Sequence, residues 1–274
     1  PGMVGYQVLI TYNDDAMTST LNLFNDIIHD NAPYPAGLVD DEVKDKLKAS
    51  FDKGVECILA TQIMVKGKPT VWCQQNDPVT LKPAGARAFE LPSFCSAESV
   101  PIIKLLMELP NPDKRVKAAV HGAMKWLDSH KLTGFRVERS TTESGERNTR
   151  LVEDPSAPAI WARFYDLELG EPFVCDRDGI MRRHLEQIGR ERRSGYSWYN
   201  YRPAELYPLY EEWAAKYDPR HKVKISLETR GANETGAIEM FRKPVLNPKD
   251  YDVVVKPGES IQAALDKAPA NGTE

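Results

Sequence analysis

The chain has 274 residues, of which 41% are hydrophobic, and it carries a formal net charge of −4. This length predicts one large domain, or one domain and a fragment of another. The negative charge argues against a basic nucleic-acid-binding face, and no apolar run approaches the roughly 20 residues of a membrane-spanning helix. We therefore expect neither a nucleic acid nor a membrane as a partner.

Helical periodicity dominates the first part of the chain. After an extended segment over residues 8–12, apolar residues recur every three or four positions from Asp14 to Ile28, which predicts a helix. A second such run ends at Leu59, and Asp40 is placed to cap its first turn.

The same periodicity predicts further helices over residues 96–109, 113–130, 180–193 and 207–217. Short strands are predicted over residues 134–137 and 160–165, with an exposed polar loop at 141–148 between them. The elements together predict a mainly α domain with long loops and short strands.

The cysteines are not spaced for metal binding. No C-x-x-C pair occurs among the four, which argues against zinc; they are Cys57, Cys73, Cys95 and Cys175. Buried free thiols and one or two disulfides both remain open.

A long stretch over residues 72–92 has no clean period and contains three prolines and a glycine. Ordered loops of this length are disproportionately functional. The stretch places Arg87 among small residues, Ala84, Gly85, Ala86 and Ala88, which let a cationic side chain approach a bulky planar ligand.

Hard oxygen donors lie close together at the start of the first helix. Asn13, Asp14 and Asp15 are consecutive, and calcium takes six to eight such donors in irregular geometry. The alternative is an ordinary helix start, where carboxylates complement the helix dipole. Oxygen ligands here and an isolated arginine at Arg87 would suit a polyanionic sugar held by a hard metal.

Other charged residues also have two interpretations. Arg163 is flanked by aromatic residues, Tyr165 among them, which suits sugar stacking with carboxylate capture; the alternative is a core pair with Asp166. Arg177 is either a substrate contact or a salt bridge within a turn. Asp77, before a proline, either orients substrate or a metal-bound water, or forms a turn.

Five motifs then occur in a specific order: TYNDDAM, WCQQNDP, LKPAGARAFELPS followed by S-x-E-S, WARFYD and CDRDG. In order and spacing they resemble the family 10 polysaccharide lyases, pectate lyases of the PelA type, over residues 1–217. The resemblance implies an (α/α)3 toroid-like helical domain. It also implies a secreted, monomeric enzyme that cleaves (1→4)-α-D-galacturonan by calcium-dependent anti β-elimination, giving 4,5-unsaturated oligogalacturonates.

The resemblance also implies roles for individual residues. Asp14 corresponds to a calcium-coordinating aspartate, with Asp15 as a second candidate ligand. Arg87 corresponds to the base that removes the C5 proton. Arg163 and Arg177 correspond to arginines that engage substrate, and Gln75, Asp77 and Tyr165 are further substrate-binding candidates.

One position departs from the family pattern. Asn76 stands where a histidine is expected before the Asp-Pro pair, which we expect to alter a subsite more than the chemistry. The family also has an upstream segment with another acidic site residue, which we expect to precede this chain. Two alternative functions remain open: a non-catalytic pectin-binding module and an inverting glycoside hydrolase.

The end of the chain resembles a different module. Residues 253–269, VVVKPGESIQAALDKAP, are similar to the opening of a pectin methylesterase β-helix. We therefore predict a catalytic domain over 1–217, an extension and linker over 218–249, and the stub of a right-handed parallel β-helix over 250–274. The pairing implies a multi-module pectin-degrading parent protein.

Overall fold

A computed structural model describes residues 5–228 of the chain. The described residues contain six α-helices: α1 Ala16–Ile28, α2 Asp41–Thr61, α3 Ser96–Glu108, α4 Lys114–Ser129, α5 Arg190–Gly195 and α6 Leu206–Tyr217. Short 3-10 helices span Gly5–Val8, Asn13–Asp15, Leu185–Gln187 and Arg202–Glu205.

The strands of this region are short and antiparallel. They are β1 Ile10–Thr11, β2 Met64–Val65, β3 Lys68–Pro69, β4 Gln75–Asn76, β5 Phe94–Cys95, β6 Phe135–Thr141, β7 Arg147–Glu153, β8 Trp161–Ala162, β9 Phe164–Tyr165, β10 Pro172–Cys175, β11 Met181–Arg182 and β12 Tyr199–Asn200. Four two-stranded pairs accompany one sheet of four strands, ordered β11-β10-β9-β5.

Capping aspartates begin the helices α2 and α4. The Asp40 carboxylate accepts a hydrogen bond from the Val43 N–H at 2.8 Å, as predicted, and Asp113 accepts one from Val116 at 2.8 Å. Each bond satisfies an N–H group that has no partner within the helix.

Helix α3 is the centre of the core and contacts α1, α4 and α6. Its Ile102, Ile103 and Leu106 are fully buried. Two buried indoles connect non-helical segments to helices. The indole N–H of Trp72 donates to the Ile58 carbonyl of α2 at 2.7 Å, and that of Trp161 donates to the Leu127 carbonyl of α4 at 2.8 Å. These bonds let the large aromatic rings enter the core without leaving a buried N–H unpaired.

The short sheets bring distant segments of the chain together. In the β1–β4 pair Thr11 lies opposite Gln75, and the N–H of Tyr12 donates to the Gln74 carbonyl at 2.8 Å. On the other side, the N–H of Ser96 at the start of α3 donates to the Arg163 carbonyl at 3.0 Å. The residues after β1, the start of α3 and the start of β9 thus share one region.

The longest strand pairing is a hairpin that the sequence only partly predicts. Strands β6 and β7 pair from Phe135 opposite Glu153 to Thr141 opposite Arg147, so much of the predicted 141–148 loop belongs to β7 or to its turn. The strand was missed because polar residues occupy both faces, which removes the alternation that identifies a half-buried strand.

The predicted helix over residues 180–193 was wrong, since only Arg190–Gly195 is α-helical. The Asp176 carboxylate accepts a hydrogen bond from the Gly189 N–H at 2.5 Å, which brings the two ends of this segment together. Asp178 forms an ion pair with Arg182 at 2.6 Å. These local partners stabilise a turn and a short strand there.

Residues 218–228, which follow α6, contact both α4 and α6. Asp218 lies 3.3 Å from His121, and the N–H of Val223 donates to the Tyr210 hydroxyl at 2.7 Å. Residues 218–228 are therefore joined to the helical domain, and the proposed boundary at 217 remains a prediction.

The predicted fold class needs a correction. Helices make up 42% of the described residues, which agrees with its helical part. The β-helix part was wrong: the regular structure of residues 5–228 consists of helices and small antiparallel sheets, and contains no β-helix. The segment 250–274, to which the β-helix stub was assigned, lies outside the described residues.

The cysteines are free thiols, which decides between the two alternatives left open by the sequence. Three of them are buried, namely Cys73, Cys95 and Cys175. Over the described range, no helix is both long and apolar enough to cross a membrane.

Candidate active site

The acidic pair follows β1 in an unusual backbone conformation. Asp14 has φ +53° and Asp15 has φ +58°, a left-handed region that costs most residues about 1 kcal/mol or more. Neither carboxylate forms a side-chain capping hydrogen bond, although both aspartates lie at the start of α1, where the helix dipole favours negative charge. Both aspartates line a polar cleft of about 470 Å³.

Arg163 enters the same cleft from the start of β9. Its guanidinium donates to the Asn13 side-chain oxygen at 2.9 Å and forms a short ion pair with Glu98 of α3. The Arg163 side chain is 14% exposed and that of Glu98 3%. The alternative pairing with Asp166 was wrong, because Asp166 pairs with Arg183 at 2.8 Å.

Burial raises the pKa of Glu98 above its usual value, and the neighbouring Arg163 charge only partly opposes this shift. Within residues 5–228, one Glu98 oxygen, Oε2, is buried with no hydrogen-bond partner. The buried pair fixes the Arg163 guanidinium at the wall of the cleft, between the acidic pair and the core.

Calcium would find part of its coordination shell in this cleft. Asp14 and Asp15 supply carboxylate oxygens; Asp14 accepts from Asn13 at 3.1 Å, and Asp15 lies 3.3 Å from Arg202. No group of three or more His, Cys, Asp or Glu side chains placed to hold a metal occurs in the described part of the chain. Two carboxylates fall short of the six to eight oxygen ligands that calcium takes, so a calcium ion held by Asp14 and Asp15 would need further ligands.

Arg87 lies in the predicted loop, with its side chain 44% exposed. Its Nε donates to Glu90 Oε2 at 2.7 Å, and a terminal nitrogen forms a second, short contact with Glu90 Oε1. The hydrogen bond to Glu90 raises the pKa of Arg87 above its usual value, which burial only partly offsets. A proton acceptor needs the opposite shift, so in this structure the contact with Glu90 opposes the role of base that the resemblance implies for Arg87.

Tyr196 connects Arg87 to the acidic cleft. Its hydroxyl donates to Glu90 Oε1 at 2.8 Å, and its ring lies 5.8 Å from the Arg87 guanidinium carbon. The same ring lies 4.6 Å from the Arg163 guanidinium carbon. Since Arg163 also binds Asn13, a continuous chain of contacts leads from Arg87 to the residue before Asp14.

Arg177 belongs to a second group of cations around Phe89. The guanidinium carbons of Arg87, Arg177 and Arg192 lie 4.9, 5.9 and 4.3 Å from that ring. Arg177 pairs with Glu191 at 3.1 Å, so its ion pair joins two segments and is not confined to a turn. The aromatic ring thus gathers three positive charges beside the loop that carries Arg87.

Three predicted substrate-binding residues are buried or form local hydrogen bonds in this structure. Tyr165 is 1% exposed, and its hydroxyl donates to the His130 carbonyl at 2.7 Å, so it cannot stack on a sugar. Gln75 is 3% exposed in β4, and Asn76, at the departing position, is fully buried beside it. Asp77 is half-buried and accepts a hydrogen bond from the N–H of Thr80 at 2.7 Å, which forms a turn.

Sequence reasoning missed four residues that shape the site: Glu90, Glu98, Tyr196 and Arg202. Two had an available signal, since Glu98 lies within the S-x-E-S motif and Glu90 follows Arg87 by three positions. Tyr196 and Arg202 had none, because their contacts bridge segments far apart in the chain.

The profile of the pectic acid lyase family matches residues 1–207 of the chain. The chain belongs to the pectic acid lyase family. Its fold is similar to a family 10 polysaccharide lyase from Cellvibrio cellulosa, with a TM-score of 0.71 and 29% identity over 78% of this chain and 65% of that one.

A second similar structure is an aspartate-to-alanine mutant of a Cellvibrio cellulosa family 10 polysaccharide lyase in complex with trigalacturonic acid. Its TM-score is 0.69, with 29% identity over 80% of this chain and 66% of that chain. The chain spans slightly less than two thirds of the length of these two structures. No curated protein matches this pectic acid lyase family member.

Proposed function

We propose that the chain is the catalytic part of a secreted pectate lyase. It cleaves (1→4)-α-D-galacturonan by calcium-dependent anti β-elimination and releases 4,5-unsaturated oligogalacturonates. The observation that carries this proposal is one cleft lined by an acidic pair, Asp14 and Asp15, and by Arg163, which is paired with the buried Glu98. Family membership and the resemblance to a lyase bound to trigalacturonic acid support the same substrate class.

The reaction needs cations near the substrate carboxylate. Removing the C5 proton of a galacturonate places negative charge beside an existing anion, so the transition state is stabilised by fixed positive groups. Arg163 is held rigidly by Glu98 and Asn13 and therefore donates charge-assisted hydrogen bonds without reorganising. Arg177 is exposed beside Phe89, the ring that Arg87 also contacts, and supplies a further positive charge there.

Asp14 and Asp15 would hold calcium, with Asn13 orienting Asp14. Calcium held there would supply positive charge beside the substrate carboxylates, which would make the C5 proton more acidic. Because the left-handed backbone aims both carboxylates at the cleft, we propose that this strained segment is retained for ligand binding.

We assign removal of the C5 proton to Arg87. A guanidinium must first release a proton to solvent, so the reactive fraction grows as the pH rises. Its pairing with Glu90 holds the free enzyme in the charged form, and substrate binding has to weaken that pair. Activity is therefore expected to increase into the alkaline range.

The same ion pair favours one alternative. If Arg87 stays charged throughout, the cleft binds polygalacturonate without cleaving it, as in a non-catalytic pectin-binding module. Incubating the protein with polygalacturonate and calcium, and measuring ultraviolet absorbance from unsaturated products, separates the two. We expect absorbance to rise, to stop with chelator, and to be lost in Asp14→Asn; binding without absorbance would refute the lyase assignment.

Mass spectrometry of the products adds a second criterion. Elimination gives a product one water lighter than hydrolysis, so saturated fragments with new reducing ends would instead identify an inverting glycoside hydrolase. Asp45→Asn is the matched control, because Asp45 is an exposed aspartate on α2, remote in sequence from the cleft residues.

A further inference from the structure

A second cavity of about 350 Å³ continues from the acidic cleft. It lies between the β6–β7 hairpin and the segment Arg193–Tyr199. Arg139, Arg163 and Ser197 line both spaces. A linear ligand in the cleft can therefore extend along the hairpin into this second cavity, which we call the hairpin cavity.

The hairpin cavity has a strongly one-sided charge. Among the described residues, no aspartate or glutamate lines it. The charged residues of its lining are four arginines, Arg139, Arg147, Arg163 and Arg193. Arg163 is paired with Glu98, and Arg193 donates to the neutral Asn148 side chain at 3.1 Å. Within residues 5–228, neither Arg139 nor Arg147 has a salt bridge. The space therefore presents at least three guanidinium groups without a carboxylate partner.

Strand register explains why these arginines share a face. Arg139 lies opposite Thr149, and Arg147 lies opposite Thr141, so Arg139 and Arg147 are diagonal neighbours about 7–8 Å apart on one side of the hairpin. Like charges on neighbouring positions of one face of a sheet repel each other, and a bound anion reduces that repulsion.

The opposite face of the same hairpin is neutralised. Arg136 lies 3.0 Å from Glu138 and 3.3 Å from Asp154, and Glu138 is also opposite Arg150 in the register. The two faces of the hairpin thus differ in charge. On the face away from the cavity, arginines lie beside carboxylates, whereas Arg139 and Arg147 on the cavity face have no carboxylate partner in the described part of the chain.

Polar atoms without partners add a second observation. Two of them, Arg193 Nε and Ser194 Oγ, are buried with no hydrogen bond among the described residues, and both side chains line the cavity. Buried donors of this kind are costly unless a polar group satisfies them. The wall of the cavity is therefore prepared for a polar, negatively charged group.

We propose that the hairpin cavity is an additional subsite that binds the carboxylate of a galacturonate beyond the reacting pair. Arg139 and Arg147 are its specificity-determining residues, and they select long, unesterified chains. The inference rests on the proposed function for the identity of the sugar. Methyl esterification removes the carboxylate charge, so esterified pectin gains nothing from these two arginines.

The test compares Arg139→Ala/Arg147→Ala with Arg150→Ala, which removes an arginine from the opposite face of the hairpin. Binding to polygalacturonate is measured by titration calorimetry in chelator, where lyase turnover stops. We expect the dissociation constant of the double variant to rise about tenfold, since exposed charge contacts contribute modestly, and that of Arg150→Ala to stay within about twofold. Arg139→Lys/Arg147→Lys should retain part of the affinity.

Kinetics supply the second readout. With calcium, the double variant should raise KM for long polygalacturonate and leave kcat nearly unchanged, while highly methylated pectin binds wild type and variant alike. Unchanged polygalacturonate affinity, or an equal loss in Arg150→Ala, would overturn the subsite. If the wild-type protein releases no unsaturated product, the lyase assignment fails. The calorimetric comparison of the variants still tests whether the hairpin cavity binds polygalacturonate.

Discussion

At the scale of single residues, two arginines with similar partners have different surroundings. Arg163 is largely buried against Glu98, with its side chain 14% exposed, whereas the Arg87 side chain is 44% exposed and can meet a substrate while it pairs with Glu90. A fixed arginine suits electrostatic stabilisation, and an accessible one suits a role that changes during the reaction. The division of roles proposed above depends on this difference in exposure.

Replacing Arg87 by lysine tests whether the guanidine is essential. Arg87→Lys keeps the positive charge but loses the planar fork that pairs with Glu90. We expect kcat to fall at least about 100-fold, the scale of a lost proton-transfer group, in the initial rate of ultraviolet product formation. Arg150→Lys is the control, and substantial turnover in Arg87→Lys would remove Arg87 from the role of base.

Glu90 offers a test through pH. Its hydrogen bond raises the pKa of Arg87, so Glu90→Gln removes the charge and should lower that pKa. Because the neutral form of Arg87 is the reactive one, the rising limb of the pH–rate profile should move to lower pH. At a fixed pH on that limb the rate should increase about tenfold.

The pH–rate profile of Glu90→Gln distinguishes two roles for Arg87, that of the base and that of a residue that only binds substrate. If Arg87 only binds substrate, Glu90→Gln should change the rate by the same factor at every pH and leave the profile in place. Circular dichroism of the variant checks that the loss of the buried carboxylate has not unfolded the loop.

At the scale of elements, close approach between α4 and β3 fixes one side of the helical core. A Cβ atom built on Gly122 would lie 2.4 Å from the Pro69 carbonyl oxygen, a backbone atom that cannot rotate away. The glycine in α4 is therefore required by packing, although glycine is normally unfavourable within a helix.

Gly122→Ala is expected to destabilise the protein despite the better helix propensity of alanine. Forcing the helix away from β3 should cost about 1–3 kcal/mol in the free energy of unfolding, measured by urea denaturation. Gly54→Ala in α2 is the comparison, since its Cβ would meet the methyl ends of Leu21, which can change rotamer. A stabilised Gly122→Ala would contradict the packing described here.

At the scale of the whole molecule, one carboxylate joins three segments. Asp128 Oδ1 accepts from Lys131 at 2.7 Å, from the Tyr207 hydroxyl at 3.0 Å and from the N–H of Ser226 at 3.2 Å. Lys131 is almost fully buried and also donates to the Ser226 carbonyl. The end of α4, the start of α6 and the segment after α6 are therefore held at one point.

Asp128→Asn should weaken all three connections, because it leaves the Lys131 charge buried without a counter-ion. We expect a loss of about 3 kcal/mol in the free energy of unfolding at neutral pH, by thermal or urea denaturation. Asp45→Asn, at an exposed position on α2, should stay within about 0.5 kcal/mol. Equal stability of the two variants would show that the Asp128 network contributes little.

Much of the helical framework could be predicted from local patterns alone. The helices that begin after Asp40 and Asp113 follow from apolar periodicity and a capping carboxylate, both of which act within a few residues. The β6–β7 hairpin and the segment after Cys175 could not, because a two-sided polar strand and a turn held by Asp176 and Asp178 carry no periodic signal.

The sequence by itself determined the helices with clear apolar periodicity, such as α2 and α4, and the order of the motifs, which points to the family of this protein. Tertiary structure alone decided which acid holds each arginine: Glu98, not Asp166, for Arg163, and Glu191 for Arg177. It also decided that Tyr165 lies in the core and that Arg139 and Arg147 of the hairpin have no carboxylate partner among the described residues. The reason is physical, since periodicity and capping act between near neighbours, whereas ion pairing and burial depend on distances across the folded chain.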